Sequence, residues 1–151
     1  ETVEIIRGIC DNIDVDAVVV VDALAARSSR RLNKTIQLAD TGISPGSGVG
    51  NHRTEINSQT IGAKVIALGV PTVISVPSII DGSLDVIADT FNQSYGKKLM
   101  ESFSEQQRYE LAYHLAEPEL ADMFVTPKNI DELVKRISFT ISEAINSMIF
   151  T

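Results

Sequence analysis

Five consecutive residues, Ala17-Val18-Val19-Val20-Val21, constrain this chain more than any others. Branching at Cβ crowds a helix and suits a strand. The run has no polar alternation, so it predicts a strand covered on both faces, the pattern of a central strand in an α/β sheet. Two more strands are expected. Residues 34–40 (KTIQLAD) alternate Thr35, Gln37 and Ala39 against Ile36, Leu38 and Asp40. Residues 64–70 (KVIALGV) form a second apolar run closed by Pro71, and residues 72–76 extend it.

Helical periodicity occupies the rest. A short first helix follows Thr2 as N-cap, with Val3, Ile6, Ile9 and Cys10 on one side. Ser78 and Asp81 are spaced as a capping box, followed by the stripe Ile80, Leu84, Ile87 and Phe91. Asp81, Asp85 and Asp89 make an acidic row, read as a solvated face. Residues 96–103 read as a loop, and Ser104 with Gln107 opens a helix to about Ala116. Thr126-Pro127 reads as a cap and first helical residue, leading into Ile130, Val134, Ile137, Ile141, Ile145 and Met148. Strands first and helices second predict a three-layer α/β protein, and 151 residues suit a single domain spanning 1–151.

Charge narrows the partners. There are 13 Lys+Arg against 20 Asp+Glu, a net charge of −7. The deficit sits in the second half, with residues 1–75 at net −1 and residues 76–151 at net −6. No basic half is hidden, which argues against electrostatic nucleic-acid binding. The single Cys10 cannot make an intrachain disulfide and fits a reducing compartment. No apolar run reaches the roughly 18 residues of a membrane span.

Asp22 is the first candidate for chemistry. It follows the valine run directly, and open α/β sheets place their sites at the carboxyl ends of strands. A carboxylate between an apolar strand and a pocket suits acid–base work; the plainer reading is a cap on the next turn. Asp40-Thr41-Gly42 matches the short DTG motif of pepsin-like proteases, but those enzymes are all-β, and Asp40 could equally close its turn or orient the loop. Gly42, Gly46, Gly48 and Gly50, with Ser47 among them, predict a loop able to approach a ligand with its backbone. The loop lacks the G-x-G-x-x-G and P-loop spacings, so a nucleotide site is disfavoured. Arg27, Arg30, Arg31 and Lys34 read as a solvated turn, or, for Arg27, as the partner of a carboxylate at the site. His52 and His114 are the only histidines and no cysteine cluster exists, so neither a metal site nor a Ser/His/Asp triad is expected. No cofactor is implied.

The longer motifs then become distinctive. Residues 22–28 (DALAARS), 40–51 (DTGISPGSGVGN), 69–73 (GVPTV) and 125–128 (VTPK) resemble the germination protease family of endospore-forming bacteria, along its C-terminal part only. The resemblance implies a three-layer α/β/α sandwich similar to hydrogenase-maturation endopeptidases, incomplete here at its N-terminal side. It implies an endopeptidase that degrades small acid-soluble DNA-coating proteins in the spore core during germination. It implies a zymogen, a homotetramer, and a metal-free pair of catalytic aspartates. One of that pair falls on Asp22; the other lies upstream of the residues seen here. Asp40 belongs to a separate family segment and does not replace it. The isolated chain is therefore expected to be inactive. The competing reading is a non-catalytic α/β oligomerisation or regulatory domain.

Overall fold

The computed structural model describes residues 2–51, 53–91 and 96–149. They fall into two compact units. One comprises Glu1–Ala25 and Lys34–Pro71; the other comprises Ala26–Asn33 and Thr72–Thr151.

In the first unit, helix α1 (Thr2–Cys10) precedes strand β1 (Ala17–Ala26), whose last residue enters the second unit. Strand β2 (Gln37–Ala39) is followed by the glycine loop and a four-residue helix α2 (Ser58–Ile61), which leads into β3 (Lys64–Ser75). Asn57 caps α2, with its side-chain oxygen accepting from the Gln59 and Thr60 amides at 3.0 and 2.9 Å, while Thr60 Oγ1 accepts from the Asn57 amide. Ile61 ends this helix fully buried, and with Ile56 and Val65 it forms the core of the unit. Val3, Ile6 and Cys10 of α1 pack on that core from one side, and Val18 and Val20 pack on it from β1. Ile9, expected on the same helix face, is instead exposed.

β3 is the middle strand. The strand order is β1-β3-β2, and β2 pairs antiparallel with β3 through Gln37–Gly69, Leu38–Leu68 and Ala39–Ala67. β3 runs straight through Pro71, so the two short strands expected there are one. β1 departs from expectation more sharply. It lies at an edge of this order, and its burial alternates rather than staying continuous. Val18 and Val20 meet the core, while Val19 and Val21 are 44% and 54% exposed. The valine run is apolar on both faces, but only Val18 and Val20 join the core, while Val19 and Val21 stay about half exposed.

In the second unit, β3 ends by pairing antiparallel with β4 (Phe124–Val125), Ile74 opposite Val125 and Ser75 opposite Phe124. In chain order the helices here are α3 (Val76–Phe91), α4 (Gly96–Glu101), α5 (Glu105–Leu115), α6 (Pro118–Ala121) and α7 (Ile130–Ile149). α3 packs against α4, α5 and α6. Its start is capped by Ser75 rather than Ser78: Ser75 Oγ accepts from the Ser78 amide at 3.2 Å. Residues 96–101, expected as loop, are helical. The expected capping box on α5 is present, with Ser104 and Gln107 bonding reciprocally at 3.2 and 2.9 Å. α7 begins at Ile130, later than Thr126-Pro127 suggests, because the Thr126 hydroxyl donates to the Thr72 carbonyl at 2.8 Å instead of capping a helix. The acidic row is not simply solvated. Arg108 of α5 reaches both Asp81 and Asp85 of α3 at 2.8 Å, and those hydrogen bonds, Asp85 first, hold its guanidinium more firmly protonated than usual. Among the described residues no helix is long and apolar enough to cross a membrane.

Candidate functional site

Asp22 sits inside β1, not at its carboxyl end, because the strand continues through Ala23–Ala26 after the valines stop. Alternation along a strand puts Asp22 on the same face as Val20 and Leu24. That is the covered face: Val20 packs on the core, and the Leu24 side chain occupies the space where a Cβ on Gly69 would stand. Gly69 therefore admits Leu24, and any side chain there would displace it.

The two oxygens of Asp22 differ. Oδ1 accepts from the neighbouring Ala23 amide at 2.9 Å. Oδ2 is buried and has no hydrogen-bond partner among the described residues. A buried carboxylate oxygen without a partner is costly, because it has given up water for nothing in return. Proteins tolerate this where the atom has a task, such as holding or passing a proton.

The glycine loop belongs to the same unit as Asp22. It is folded back on itself: Ile43 and Ile56 exchange backbone hydrogen bonds at 2.9 and 2.8 Å, and the Asn51 amide donates to the Gly46 carbonyl at 3.0 Å. Gly42 has φ of +103° and lies against the Ile56 carbonyl and Asn57, so it needs both its positive φ and its missing side chain. Gly46 and Gly50 lie in the left-handed region on either side of a 3-10 turn, Ser47–Val49. Within that turn Gly48 approaches β1, where a Cβ would come within 3.0 Å of the Ala25 Cβ. The loop thus touches β1 three residues beyond Asp22. Ser47, Gly48 and Gly50 are exposed, as are Asp40 and Thr41 just after β2. Gly42 and Gly46 are half-buried. His52 lies outside the described residues.

Arg27 belongs to the second unit and pairs there with Glu105 at 3.1 Å. The two side chains are 87% and 91% exposed, so this pair has the character of a solvated surface contact. Sequence reasoning missed Asn33. It is 93% buried by the measure of its 7% exposure, has φ of +53°, and neither side-chain amide atom has a partner. Asparagine's tolerance of the left-handed region was the available signal. Among the described residues no group of three or more His, Cys, Asp and Glu is arranged to hold a metal ion.

Residues 1–103 match the germination protease family model. This chain belongs to the germination protease family. It is 41% identical over 151 residues to a germination protease of Caldanaerobacter subterraneus subsp. tengcongensis, covering 97% of this chain and 47% of that protein. It is 40% identical to one from Clostridium acetobutylicum, covering 97% of this chain and 46% of the relative. A germination protease of Bacillus cereus strain G9842 is 35% identical over 183 residues, covering 97% and 50%. The chain thus spans about half the length of the relatives it matches.

Proposed function

We propose that this chain is the part of a germination protease that supplies one of two catalytic carboxylates, Asp22. The reaction is endoproteolysis of small acid-soluble proteins that coat DNA in the spore core, and the second aspartate comes from polypeptide outside these residues. The observation that carries the reading is the unpartnered, buried Oδ2 of Asp22 within the DALAARS motif.

The chemistry follows from that atom. Amide hydrolysis needs one group to take a proton from the attacking water and another to give a proton to the departing nitrogen. Two carboxylates held close together divide these roles, because they cannot both ionise easily and one keeps a proton. Asp22 Oδ1 is fixed by the Ala23 amide, which orients the carboxylate on a rigid strand, while Oδ2 is left to hold or accept the proton. The glycine loop touches β1 at Ala25, on the face opposite Asp22, so it braces the strand from behind the carboxylate. Asp40 and Thr41 flank its entrance and have no part in the proton transfer.

The test uses an intact relative, the Caldanaerobacter germination protease, with the residue that aligns with Asp22 changed to asparagine. Cleavage of an acid-soluble spore protein should fall by roughly 10²–10⁴-fold or more, the scale of a lost general acid or base, with the circular dichroism spectrum unchanged. EDTA should have little effect. Full activity in the asparagine variant, or loss with EDTA and rescue by zinc, would reject the reading. The 151-residue chain alone should show no turnover. Turnover by the chain alone that disappears in Asp22→Asn would place both catalytic groups within these residues.

The half-exposed Val19 and Val21 of β1 favour the competing reading, a non-catalytic association domain. That reading expects the asparagine variant of the intact relative to keep its activity.

A further inference from the structure

Asp22 is aimed by its own strand. Among the described residues its carboxylate bonds only the Ala23 amide, one residue along β1. No side chain from another described element orients it, so its direction depends on where β1 lies. Two contacts on the inner face bracket it. Val20, two residues before Asp22, packs on the core of Ile56, Ile61 and Val65. Leu24, two residues after it, sits over Gly69 of β3. Alternation puts Val20, Asp22 and Leu24 on one face. On the opposite face Ala25 is backed by the glycine loop, where a Cβ on Gly48 would stand 3.0 Å from the Ala25 Cβ. Just past the carboxylate, β1 is thus held from both sides, and each hold uses a glycine.

Gly69 is the more telling of the two. It lies inside the 12-residue strand β3, where glycine is destabilising relative to alanine because it gives up more chain freedom. It is not among the glycines with positive φ, so alanine could adopt its backbone. What alanine could not do is fit. Its Cβ would overlap Leu24 Cδ1 and stand 2.9 Å from Leu24 Cγ, against roughly 3.5–4.0 Å for carbon atoms in contact. Turning χ2 of Leu24 moves Cδ1 and leaves Cγ in place. Cγ moves only with χ1 or with the backbone. β3 is the middle strand with a neighbour on either side, so the partner that yields is Leu24, with the edge strand that carries it.

We propose that Gly69 is a positioning residue for the Asp22 carboxylate: the space beside it seats Leu24, and the seated Leu24 fixes the part of β1 that aims Asp22. The inference rests on reading Asp22 as a catalytic carboxylate and adds what holds that group in line. Amide hydrolysis by a carboxylate tolerates little error in aim, since a displacement of about 1 Å can cost on the order of 10²-fold.

The experiment has two arms. In this chain, labelled with ¹³C and ¹⁵N, the Asp22 carboxyl resonance is identified by its loss in Asp22→Asn. Gly69→Ala should shift that resonance and the Ala23 amide signal together. Leu24→Ala alone, which empties the seat, should also shift them. The size swap Gly69→Ala/Leu24→Ala should bring both signals back towards wild type, a non-additivity expected of residues in contact. Ile61→Ala, a core cut elsewhere in the same unit, should lower the melting temperature and leave the Asp22 resonance in place. The second arm uses the intact Caldanaerobacter relative, with alanine at the residue that aligns with Gly69. Its kcat should fall at least about tenfold with KM little changed, and alanine at the residue that aligns with Leu24 should recover most of the loss. If the Asp22 signals stay in place in Gly69→Ala, or the swap leaves them displaced, the proposal is overturned. If Ile61→Ala shifts them equally, the effect is general loosening and the proposal is again overturned. If the signals move and recover as expected while kcat never changes, the positioning stands and the catalytic reading of Asp22 fails instead.

Discussion

The two units combine apolar burial and polar fastening in different proportions. The unit of Glu1–Ala25 and Lys34–Pro71 closes on a small, dry cluster, with Ile61 and Val65 at 0% exposure and Ile56 at 2%. The unit of Ala26–Asn33 and Thr72–Thr151 also buries Ile74, Pro77 and Ala112 fully, on β3, α3 and α5, and adds polar fastening between its helices. Arg108 clamps α3 to α5, Ser104 and Gln107 cap α5, and the Tyr113 hydroxyl donates to Asp122 at 3.0 Å, a bond that pushes the phenol pKa up. The contrast is informative about function. The candidate carboxylate stands in the dry unit, where an unpartnered oxygen is most costly and a positioned proton is most useful. The polar unit can change surface charge with less consequence for the site.

The largest effect should come from breaking the dry cluster. Ile61→Ala removes a fully buried side chain where α2 turns into β3. A buried isoleucine cut to alanine costs about 2–5 kcal/mol. The loss should appear in the urea midpoint, and amide exchange should quicken first in α1, β1 and β3 near Val65. Equal acceleration in α5 would show that the two units unfold as one and that the contrast does not extend to stability.

Breaking the polar clamp should do less. Arg108→Met keeps a long apolar stem and removes the charge. It leaves Asp81 and Asp85 one helical turn apart with no cation between them. Hydrogen bonds to charged groups contribute about 1.5–3 kcal/mol. The partial exposure here, 21% for Arg108 and 50% for Asp85, argues for the lower end. The difference between wild type and variant should shrink in high salt, since half-exposed charges are screened. Amide exchange should quicken in α3 and α5 while the Ile56–Ile61–Val65 cluster keeps its protection. A salt-independent loss would mean that the clamp works by packing its stem.

Much of this was legible from sequence where one residue type answers to one physical demand. The strand character of the valine run and of residues 64–70, the Ser104–Gln107 box and the family motifs over residues 22–28 and 40–51 are such cases. Misreadings came where a local pattern had two physical outcomes. Ser78 and Ser75 both offer a hydroxyl near the start of α3, and packing of the strand end chose Ser75. The acidic row looked solvated because its cation, Arg108, lies 27 residues beyond Asp81. Asp22 was expected at a strand end because the valines stop there, whereas Leu24 and Ala26 keep the strand apolar on its inner face. The half exposure of Val19 and Val21 could not be read at all, since a sequence pattern shows that burial is wanted and not what provides it.

The smallest effect is expected at Asn33, and its sign is what matters. Asn33 is buried in the left-handed region with both amide atoms unpartnered. Two penalties therefore meet at one residue. The backbone conformation costs a non-glycine residue about 1–2 kcal/mol, less for asparagine than for most. The orphaned amide costs about 1–3 kcal/mol in lost hydration. Asn33→Gly removes both and adds back roughly 0.5–1 kcal/mol of chain entropy, so the variant should be slightly more stable than the wild type. Asn33→Ala removes the amide but keeps a Cβ in the left-handed region, which alanine tolerates less well than asparagine, and its two changes should nearly cancel. Melting temperatures ordered glycine above wild type, with alanine close to wild type, would mark Asn33 as a strained joint in the polar unit. If both variants instead lose stability, the amide is engaged in the folded protein by ordered water or by a neighbouring group, and the polar unit has one more fastening than its bonds account for.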